Sequence, residues 1–203
     1  MKCIARSRNL FLLSAFFWVS LLSGCVAKQT IPYSYSPQNY ALQKINSLVE
    51  VSVKDERDFI LTQKKEDSYI GHFRGGYGNT WDVKTKGHVP LAEQFRKDLE
   101  SELRTLGADG KNAGRKKILG VIIRDYNFDA YINGRFWYKF ELSVRDDQGN
   151  LLAEEKIENE HVIKGSFWIG PVGAFKREMP VLHEQVVHSL VRDNEKILKA
   201  LQS

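Results

Sequence analysis

The first 25 residues constrain this chain more than any other stretch, because they combine a basic start, an apolar run and small residues before a cysteine. Lys2, Arg6 and Arg8 precede a nearly continuous apolar run from Leu10 to Leu22. That run is about 13 residues long, whereas a helix that spans a bilayer needs about 20. The order of basic, apolar and small residues is typical of a secretory signal peptide that is removed after export. We therefore expect residues 1–24 to be cleaved.

The tetrapeptide Leu22-Ser23-Gly24-Cys25 at the end of this segment is more specific than an ordinary cleavage site. It resembles the lipobox of bacterial lipoproteins, in which a dedicated peptidase cuts directly before the cysteine. The resemblance implies that the Cys25 thiol carries a diacylglycerol and that its new amino group is acylated, commonly with palmitate. Stable anchoring takes at least two acyl chains, so a protein modified in this way stays on the membrane. An ordinary signal peptide followed by a chance cysteine is the alternative.

The charge and the cysteine content of the chain argue against some functions and structural features. The whole chain has 30 basic and 25 acidic residues; three basic residues leave with the signal, so 27 remain against 25 and the mature formal charge is +2. This near-neutral balance does not support nucleic-acid binding, and we expect no nucleic-acid partner. Cys3 also leaves with the signal and Cys25 is lipidated, so we expect no intramolecular disulfide in an oxidising compartment.

The rest of the chain divides into a tether and one domain. Residues 25–44 are mostly polar, contain Ser, Pro and Tyr, and follow no repeating pattern, which is typical of a flexible tether. Fully extended, this tether would reach roughly 60 Å. Its tyrosines could instead dock on the domain or at the lipid interface. Residues 45–203 are long enough to bury a core of their own, and we expect them to form a single periplasmic domain.

Local patterns predict four strands and two helices in this domain. The predicted strands cover about 47–54, 117–129, 135–146 and 151–163, and the predicted helices run from Pro90 to Leu106, capped by Gly107, and from Pro180 towards the C-terminus. Consecutive strands usually pair as antiparallel neighbours. The predicted fold is therefore a two-layer α+β domain of order β-α-β-β-β-α, with a four-stranded, mainly antiparallel sheet and two helices on one face.

Two stretches between these elements combine glycine with aromatic residues. Residues 70–81 mix glycine with aromatic residues and Arg74, which could indicate a phosphate-binding loop. The Gly-Lys-Ser/Thr ending of such loops is missing, so we expect a mobile loop instead. Residues 166–175 are apolar but interrupted by Gly and Pro, and they also predict a loop.

The turn around Asn133-Gly134 decides how the second and third long strands pair. A two-residue hairpin would place aromatic residues opposite acidic and polar ones, because a slip of one residue exchanges the two faces of a strand. We therefore predict a three-residue loop with Gly134 in the left-handed bulge position. That register places Phe136, Tyr138, Phe140 and Val144 opposite Ala130, Phe128, Tyr126 and Ile122.

Candidate catalytic and metal-binding residues give little support for an enzyme. His183 and His188 resemble a zinc-protease pair, but their i,i+5 spacing separates them by about 140° around a helix, so they cannot share one zinc ion. No nucleophile motif and no free cysteine remain in the mature chain. Asp125 and Asp129 are expected to be ordinary surface charges. We expect no catalytic residue, no cofactor and no metal.

Exposed aromatic residues are the better candidates for binding. Trp137 is predicted on the strand face opposite Phe136, where it could stack on a sugar or a partner, or simply cover neighbouring side chains. Phe167, Trp168 and Ile169 stand beside flexible Gly165, and leaving them in water is costly. They either fold back as a lid or form a patch for a partner. We expect the lid.

The whole pattern resembles a loose group of Gram-negative envelope lipoproteins, the YajG-like and ABC-transport auxiliary lipoproteins. The shared features are the lipobox, a tether, an antiparallel meander, a C-terminal helix and the short motifs Asp55-x-Arg57, Ile70-Gly71 and Pro90–Gly107. Residues 71–81 and 166–175 depart from the pattern. The group has no catalytic residues to transfer to this chain.

The resemblance implies a non-enzymatic accessory or scaffold subunit of an envelope transport or assembly complex, with a protein partner in the envelope. A periplasmic module that binds lipid or glycan between sheet and helices is the alternative, and a hydrolase is a more distant one. In the sorting rule of enteric lipoproteins, Asp after the lipidated cysteine retains the protein in the inner membrane. Val26 follows Cys25 here, which predicts the outer membrane.

Overall fold

The computed structural model describes residues 29–31, 35, 45–75, 77–108, 116–165 and 170–203. The described strands are β1 (Gln29–Ile31), β2 (Leu48–Asp55), β3 (Tyr69–Arg74), β4 (Thr80–Thr85), β5 (Lys116–Ala130), β6 (Gly134–Asp146) and β7 (Leu151–Ile163). The described α-helices are α1 (Asp58–Leu61), α2 (Leu91–Thr105), α3 (Gly170–Leu190) and α4 (Glu195–Gln202), and a short 3-10 helix covers Lys86–His88.

Strand β5 is the centre of a seven-stranded mixed sheet. On one side, β5, β6 and β7 form an antiparallel meander. On its other side, β5 pairs with two strands in succession: β2 runs parallel along 116–123, and β3 runs parallel at Asp129 and Ala130. Strand β4 continues the sheet antiparallel to β3, and β1 pairs in parallel with β4. The predicted four-stranded, mainly antiparallel sheet with two helices is therefore wrong.

The β3–β4 hairpin lies where a mobile loop was expected. Ile70, Phe73 and Val83 are buried, so the segment belongs to the core. Gly71 has a φ of 151°, and a Cβ at this position would lie 2.4 Å from the Phe128 ring. Glycine is therefore required here by close packing. A register shift between Tyr69 and Gly71 interrupts the alternation by which a strand is recognised in sequence.

The β5–β6 turn is a three-residue connection, but not the predicted one. Ala130 pairs with Gly134, Phe128 with Phe136 and Tyr126 with Tyr138. Near the turn the predicted register is wrong by two residues, and the predicted inward face is correct there because an even shift keeps the same side of the strand. The predicted inward position of Ile122 is wrong, because Ile123 is the buried residue in that part of β5. The bulge lies instead between Ile123 and Asp125, after which Phe140 pairs with Ile123 and Val144 with Leu119. Gly134 has no positive φ; a Cβ there would lie 2.0 Å from the ring of Phe175 in α3.

Helix α2 agrees with its prediction. Its apolar stripe is buried against the sheet and consists of Leu91, Phe95, Leu99, Leu103 and the C-cap Leu106. Gly107 follows with a φ of 93°, and the Ala108 amide donates to the Leu103 carbonyl at 2.9 Å, which ends the helix.

Helix α3 begins ten residues earlier than predicted, and Pro180 lies inside it. The loop predicted for 166–175 is therefore wrong for 170–175, whereas 166–169 lie outside the described residues. Ala174, Phe175 and Met179 are buried on one side of this helix, and their packing stabilises the turns before the proline. Asn194 accepts from the Ile197 amide at 3.1 Å and caps α4, so it separates two helices. No helix in the described ranges is long and apolar enough to cross a bilayer.

Parts of the expected tether contact the domain. Gln29–Ile31 form β1, and Ile31 is buried. The Tyr35 hydroxyl donates to Glu102 in α2, and the Ile45 amide donates to the Leu106 carbonyl at 2.7 Å. Residues 29–31 and Tyr35 therefore contact the domain, while the tether over 25–44 and the assignment of residues 1–24 as a signal stay predictions.

Candidate functional site

The sheet has one face covered by α2, α3 and α4 and one face that these helices leave uncovered. Tyr126 and Phe140 point to the covered face, where Phe95 of α2 packs on their rings at 5.3 and 5.0 Å. Side chains at alternate positions, such as Trp137 and Glu141, point to the other side. We call the surface formed by these outward side chains of β2, β5, β6 and β7 the open face.

A groove of about 340 Å³ crosses the open face where β5 carries Gly120. Ile118 and Ile122 line it on either side of the glycine, and Ser143 faces Gly120 from β6. A Cβ at Gly120 would lie 2.7 Å from the Ser143 hydroxyl, so the missing side chain opens the groove. The groove therefore has an apolar centre on a rigid strand.

Paired charges surround this groove. Arg124 bonds Glu56 at 2.5 Å and Glu141 at 2.8 Å, and Glu141 also pairs with Lys156 at 3.2 Å. Hydrogen bonds from Arg124 and Lys156 hold the pKa of the Glu141 carboxyl below its usual value. Lys116 pairs with Glu50 at the edge of the same face. An apolar centre within a polar rim is the usual arrangement of a protein–protein interface.

Trp137 lies further along the open face, beside a groove of about 460 Å³. Its indole nitrogen donates to the Asp125 Oδ2 at 2.8 Å. The other carboxylate oxygen of Asp125 and the Oδ1 of Asn127 are buried and have no hydrogen-bond partner within the part of the chain that the structure describes. Burial raises the pKa of the Asp125 carboxyl above its usual value, although the bond from Trp137 opposes that rise. Asp125 is thus not the ordinary surface charge that the sequence suggested.

A second polar cluster lies where β3 meets β5. The Nδ1 of His72 shares a hydrogen bond of 3.0 Å with the Tyr69 hydroxyl, and the Nε2 of His72 lies 3.4 Å from the Asp129 carboxylate. Arg74 forms two hydrogen bonds with the same carboxylate. Burial lowers the pKa of His72 despite the adjacent Asp129. The pairing of His72 and Arg74 with Asp129 was not predicted from the sequence, because it depends on strand β3, which was not recognised.

A Tyr–His–Asp arrangement also exists on the covered face. His183 lies 2.8 Å from the Asp98 carboxylate and 3.0 Å from the Tyr126 hydroxyl, and all three residues are buried. A catalytic group must reach its substrate, and these side chains are enclosed by Phe95 and the sheet. The arrangement can satisfy buried polar groups in the core. His188 has different neighbours, Tyr35 and Glu184.

Only some of the predicted site residues lie within the described part of the structure. Trp137 is on the open face as predicted, partly exposed and hydrogen-bonded to Asp125. Cys25, Phe167, Trp168 and Ile169 lie outside the described residues, so lipidation and the lid stay predictions. Arg57, which the sequence offered only as part of a short motif, is fully buried between β2 and β3.

Comparison with known proteins gives a fold and no family. No family model and no curated protein matches the chain. Protein XCC0632 from Xanthomonas campestris, associated with the family model DUF330, has a similar structure: the TM-score is 0.52 at 8% identity, over 80% of this chain and 95% of that chain. A candidate lipoprotein from Caulobacter crescentus matches with a TM-score of 0.33 at 11% identity, over 54% of this chain and 80% of that chain. The first match shows a shared fold, and the YajG-like resemblance stays a prediction.

Proposed function

We propose that this chain is an envelope lipoprotein, anchored through Cys25 and facing the periplasm from the outer membrane. It acts there as a non-enzymatic accessory or scaffold subunit of a transport or assembly complex. The observation that carries the proposal is the sequence Leu22-Ser23-Gly24-Cys25, which follows a basic and apolar export segment and directly precedes a folded domain. Val26 after the cysteine supports the outer membrane.

The open face supports a protein partner. Three strands of about 13 residues give it a length of about 40 Å and a width of about 14 Å. This area is of the same order as the ~800 Å² that each partner contributes to a standard interface. Several of its charges are already paired, as for Arg124 with Glu141, so docking would require little further neutralisation of these groups. The Ile118–Ile122 groove supplies an apolar centre.

The packing between sheet and helices favours this reading over a ligand held between the layers. Phe95, Tyr126, Phe136 and Phe140 are all fully buried there. Their ring centroids are separated by 5.0 to 5.3 Å in neighbouring pairs, which is direct aromatic contact. These side chains occupy the space that a lipid or glycan would need.

Lipidation is tested by Cys25→Ser in cells fed labelled palmitate. We expect the wild type to incorporate label and fractionate with the outer membrane. The variant should remain as unlabelled, uncleaved precursor in the inner membrane. A variant that is cut and released at the normal size would show an ordinary signal peptidase at work, and the lipoprotein assignment would be wrong.

The partner surface is tested by site-specific photocrosslinking in intact cells. A photoreactive residue replaces Ser52 or Lys156 on the open face, and Arg104 or Lys199 on exposed helix surfaces provides the matched control. We expect one discrete protein adduct from the open-face positions alone. Ile118→Lys should abolish that adduct without lowering the melting temperature, since Ile118 lines the groove on the open face. Equal adducts from both sets of positions, or an adduct insensitive to Ile118→Lys, would contradict the proposal.

A further inference from the structure

The direction of β1 restricts the position of Cys25. Gln29 pairs with Val83 and Ile31 with Thr85 in parallel, so β1 enters the sheet from the Thr80 end of β4. Only three residues separate Cys25 from Gln29 in the sequence. Four Cα steps of at most ~3.6 Å keep the cysteine within about 14 Å of Gln29. A lipid on Cys25 would therefore hold one particular end of the sheet against the bilayer.

Several other strands begin or end at the Thr80 end of the sheet. Residues 75–79 join β3 to β4 there. Phe73 pairs with Ala130, Ala130 pairs with Gly134, and Gly134 pairs with Ile163, so β5, β6 and β7 reach the same end. We call this the anchor end, and define it by the exposed residues Tyr77, Tyr131, Ile132 and Val162.

Four of the exposed side chains at the anchor end are apolar or aromatic. Tyr77 is 99% exposed, Ile132 66%, Val162 65% and Tyr131 47%. Each Å² of apolar area left in water costs about 25 cal/mol, and tyrosine rings are enriched at the level of lipid headgroups. Arg74 and Arg135 also extend from this end, each paired with a carboxylate. Guanidinium groups are suited to hydrogen bonds with lipid phosphates.

We infer that the anchor end rests on the lipid surface, with Tyr77, Tyr131, Ile132 and Val162 in the headgroup region. This inference rests on the proposed lipidation of Cys25 and goes beyond it, because a lipoprotein could equally hang from a long tether. The bilayer is the occupant because the anchor attaches within about 14 Å of Gln29. The strands then stand upright, and the turn Asp147–Asn150 lies about 40 Å from the surface. The open face is left accessible from the side.

The test uses the lipidated full-length protein in vesicles of phosphatidylethanolamine and phosphatidylglycerol. The mature chain has no cysteine other than Cys25, so an introduced cysteine is a unique free thiol. An environment-sensitive fluorophore is attached at Ile132→Cys, or at Gln148→Cys on the opposite turn as the control. We expect a lipid-borne nitroxide to quench the label at position 132 at least threefold more than the label at 148. Equal quenching, or quenching at 148 alone, would overturn the inference.

A matched pair of variants separates the surface from the tether. Tyr77→Ser with Val162→Ser should reduce quenching of the label at 132 at least twofold, because these side chains hold the anchor end in the headgroups. Leu151→Ser with Leu152→Ser changes two exposed apolar residues at the far end and should leave quenching unchanged. If the two pairs act alike, the anchor end does not contact lipid.

Flotation of the same vesicles and the mass of the Cys25 peptide report lipidation separately. Protein that carries no lipid and does not float contradicts the proposed function. Protein that floats with an intact lipid but shows no quenching at position 132 contradicts only the orientation; this outcome would also be expected if the anchor end bound a protein instead.

Discussion

The Arg57 guanidinium forms two parallel hydrogen bonds with the Asp55 carboxylate, Nε to Oδ1 at 2.8 Å and Nη2 to Oδ2 at 2.7 Å. Arg57 is fully buried in the gap between the end of β2 and the start of β3, along one edge of β5. Its Nη1 donates to the Tyr69 carbonyl at 2.7 Å and to the Tyr126 carbonyl at 3.1 Å. A side chain thus replaces the backbone donors that a continuous neighbouring strand would supply.

Arg57→Met should destabilise the domain by about 3–5 kcal/mol. The change leaves the Asp55 carboxylate buried without its partner and two carbonyls without donors. Urea unfolding measures the effect. Arg74→Met is the matched control, because that arginine is exposed and its pair with Asp129 should contribute at most ~1 kcal/mol. Similar losses in both variants would show that Arg57 does not have this special role.

The buried Asp98–His183 pair should also be structural. His183→Leu removes the group 2.8 Å from the Asp98 carboxylate and should cost about 3 kcal/mol in urea unfolding. Asp98→Leu combined with His183→Leu should recover part of that loss, because the buried carboxylate, which would otherwise keep only its bonds from Gln94, is then also removed. Asp98→Leu alone is measured as well. If the losses of stability in the two single variants simply add up in the double variant, the two residues act independently.

Tyr35 should stabilise the contact between the chain before β2 and the helices. Its hydroxyl donates to Glu102, which is fully buried and lies 2.5 Å from Arg192. Burial, followed by the bond to Glu102, raises the pKa of Tyr35 above its usual value. Tyr35→Phe should lower the free energy of unfolding by about 1.5–3 kcal/mol, as expected for a hydrogen bond to a charged group. Tyr77→Phe, at an exposed position, should leave it unchanged.

His72 should make the stability sensitive to mild acid. Burial lowers the pKa of His72 below its usual 6.5, so the folded state binds the proton less tightly than the unfolded state. Stability is then full above pH 6.5 and falls as the pH drops below that value. His72→Gln should reduce the difference in melting temperature between about pH 7.5 and about pH 5. An unchanged difference would mean that other groups account for the acid sensitivity.

Asp125 should change the pH dependence of stability in the opposite direction to His72. Burial raises the pKa of its carboxyl, so the folded state binds this proton more tightly, and stability falls as the pH rises through that pKa. Asp125→Asn removes the charge and can keep the bond from Trp137. We expect its melting temperature at neutral pH to rise by about 2 °C. Trp137→Phe removes the hydrogen-bond donor to Asp125 and should lower the melting temperature. A lower melting temperature for Asp125→Asn would show that the charge itself stabilises this site.

Several features of this protein were predictable because their signals are local. Helix α2 follows from the spacing of Leu91, Phe95 and Leu99 and from Gly107 after its last turn, and Leu99 is fully buried as that spacing requires. The inward faces of β5 and β6 near their turn follow from the alternation around Phe128 and Phe136, which the bulge between Ile123 and Asp125 interrupts further back in β5. In each case, neighbouring residues in the sequence decide which side of the element is apolar.

The sequence alone was enough to predict α2 and the inward faces of β5 and β6 around Phe128 and Phe136, while the export segment and the lipobox stay predictions. Only the tertiary structure decided that β2 and β3 share one edge of β5, that β1 enters beside β4, and that Arg57 fills the gap between two strands. These arrangements depend on hydrogen bonds between residues far apart in the chain, such as Arg57 and Tyr126, 69 positions apart. Backbone donors and acceptors are the same in almost every residue, so a sequence carries no local mark of the strand with which they will pair.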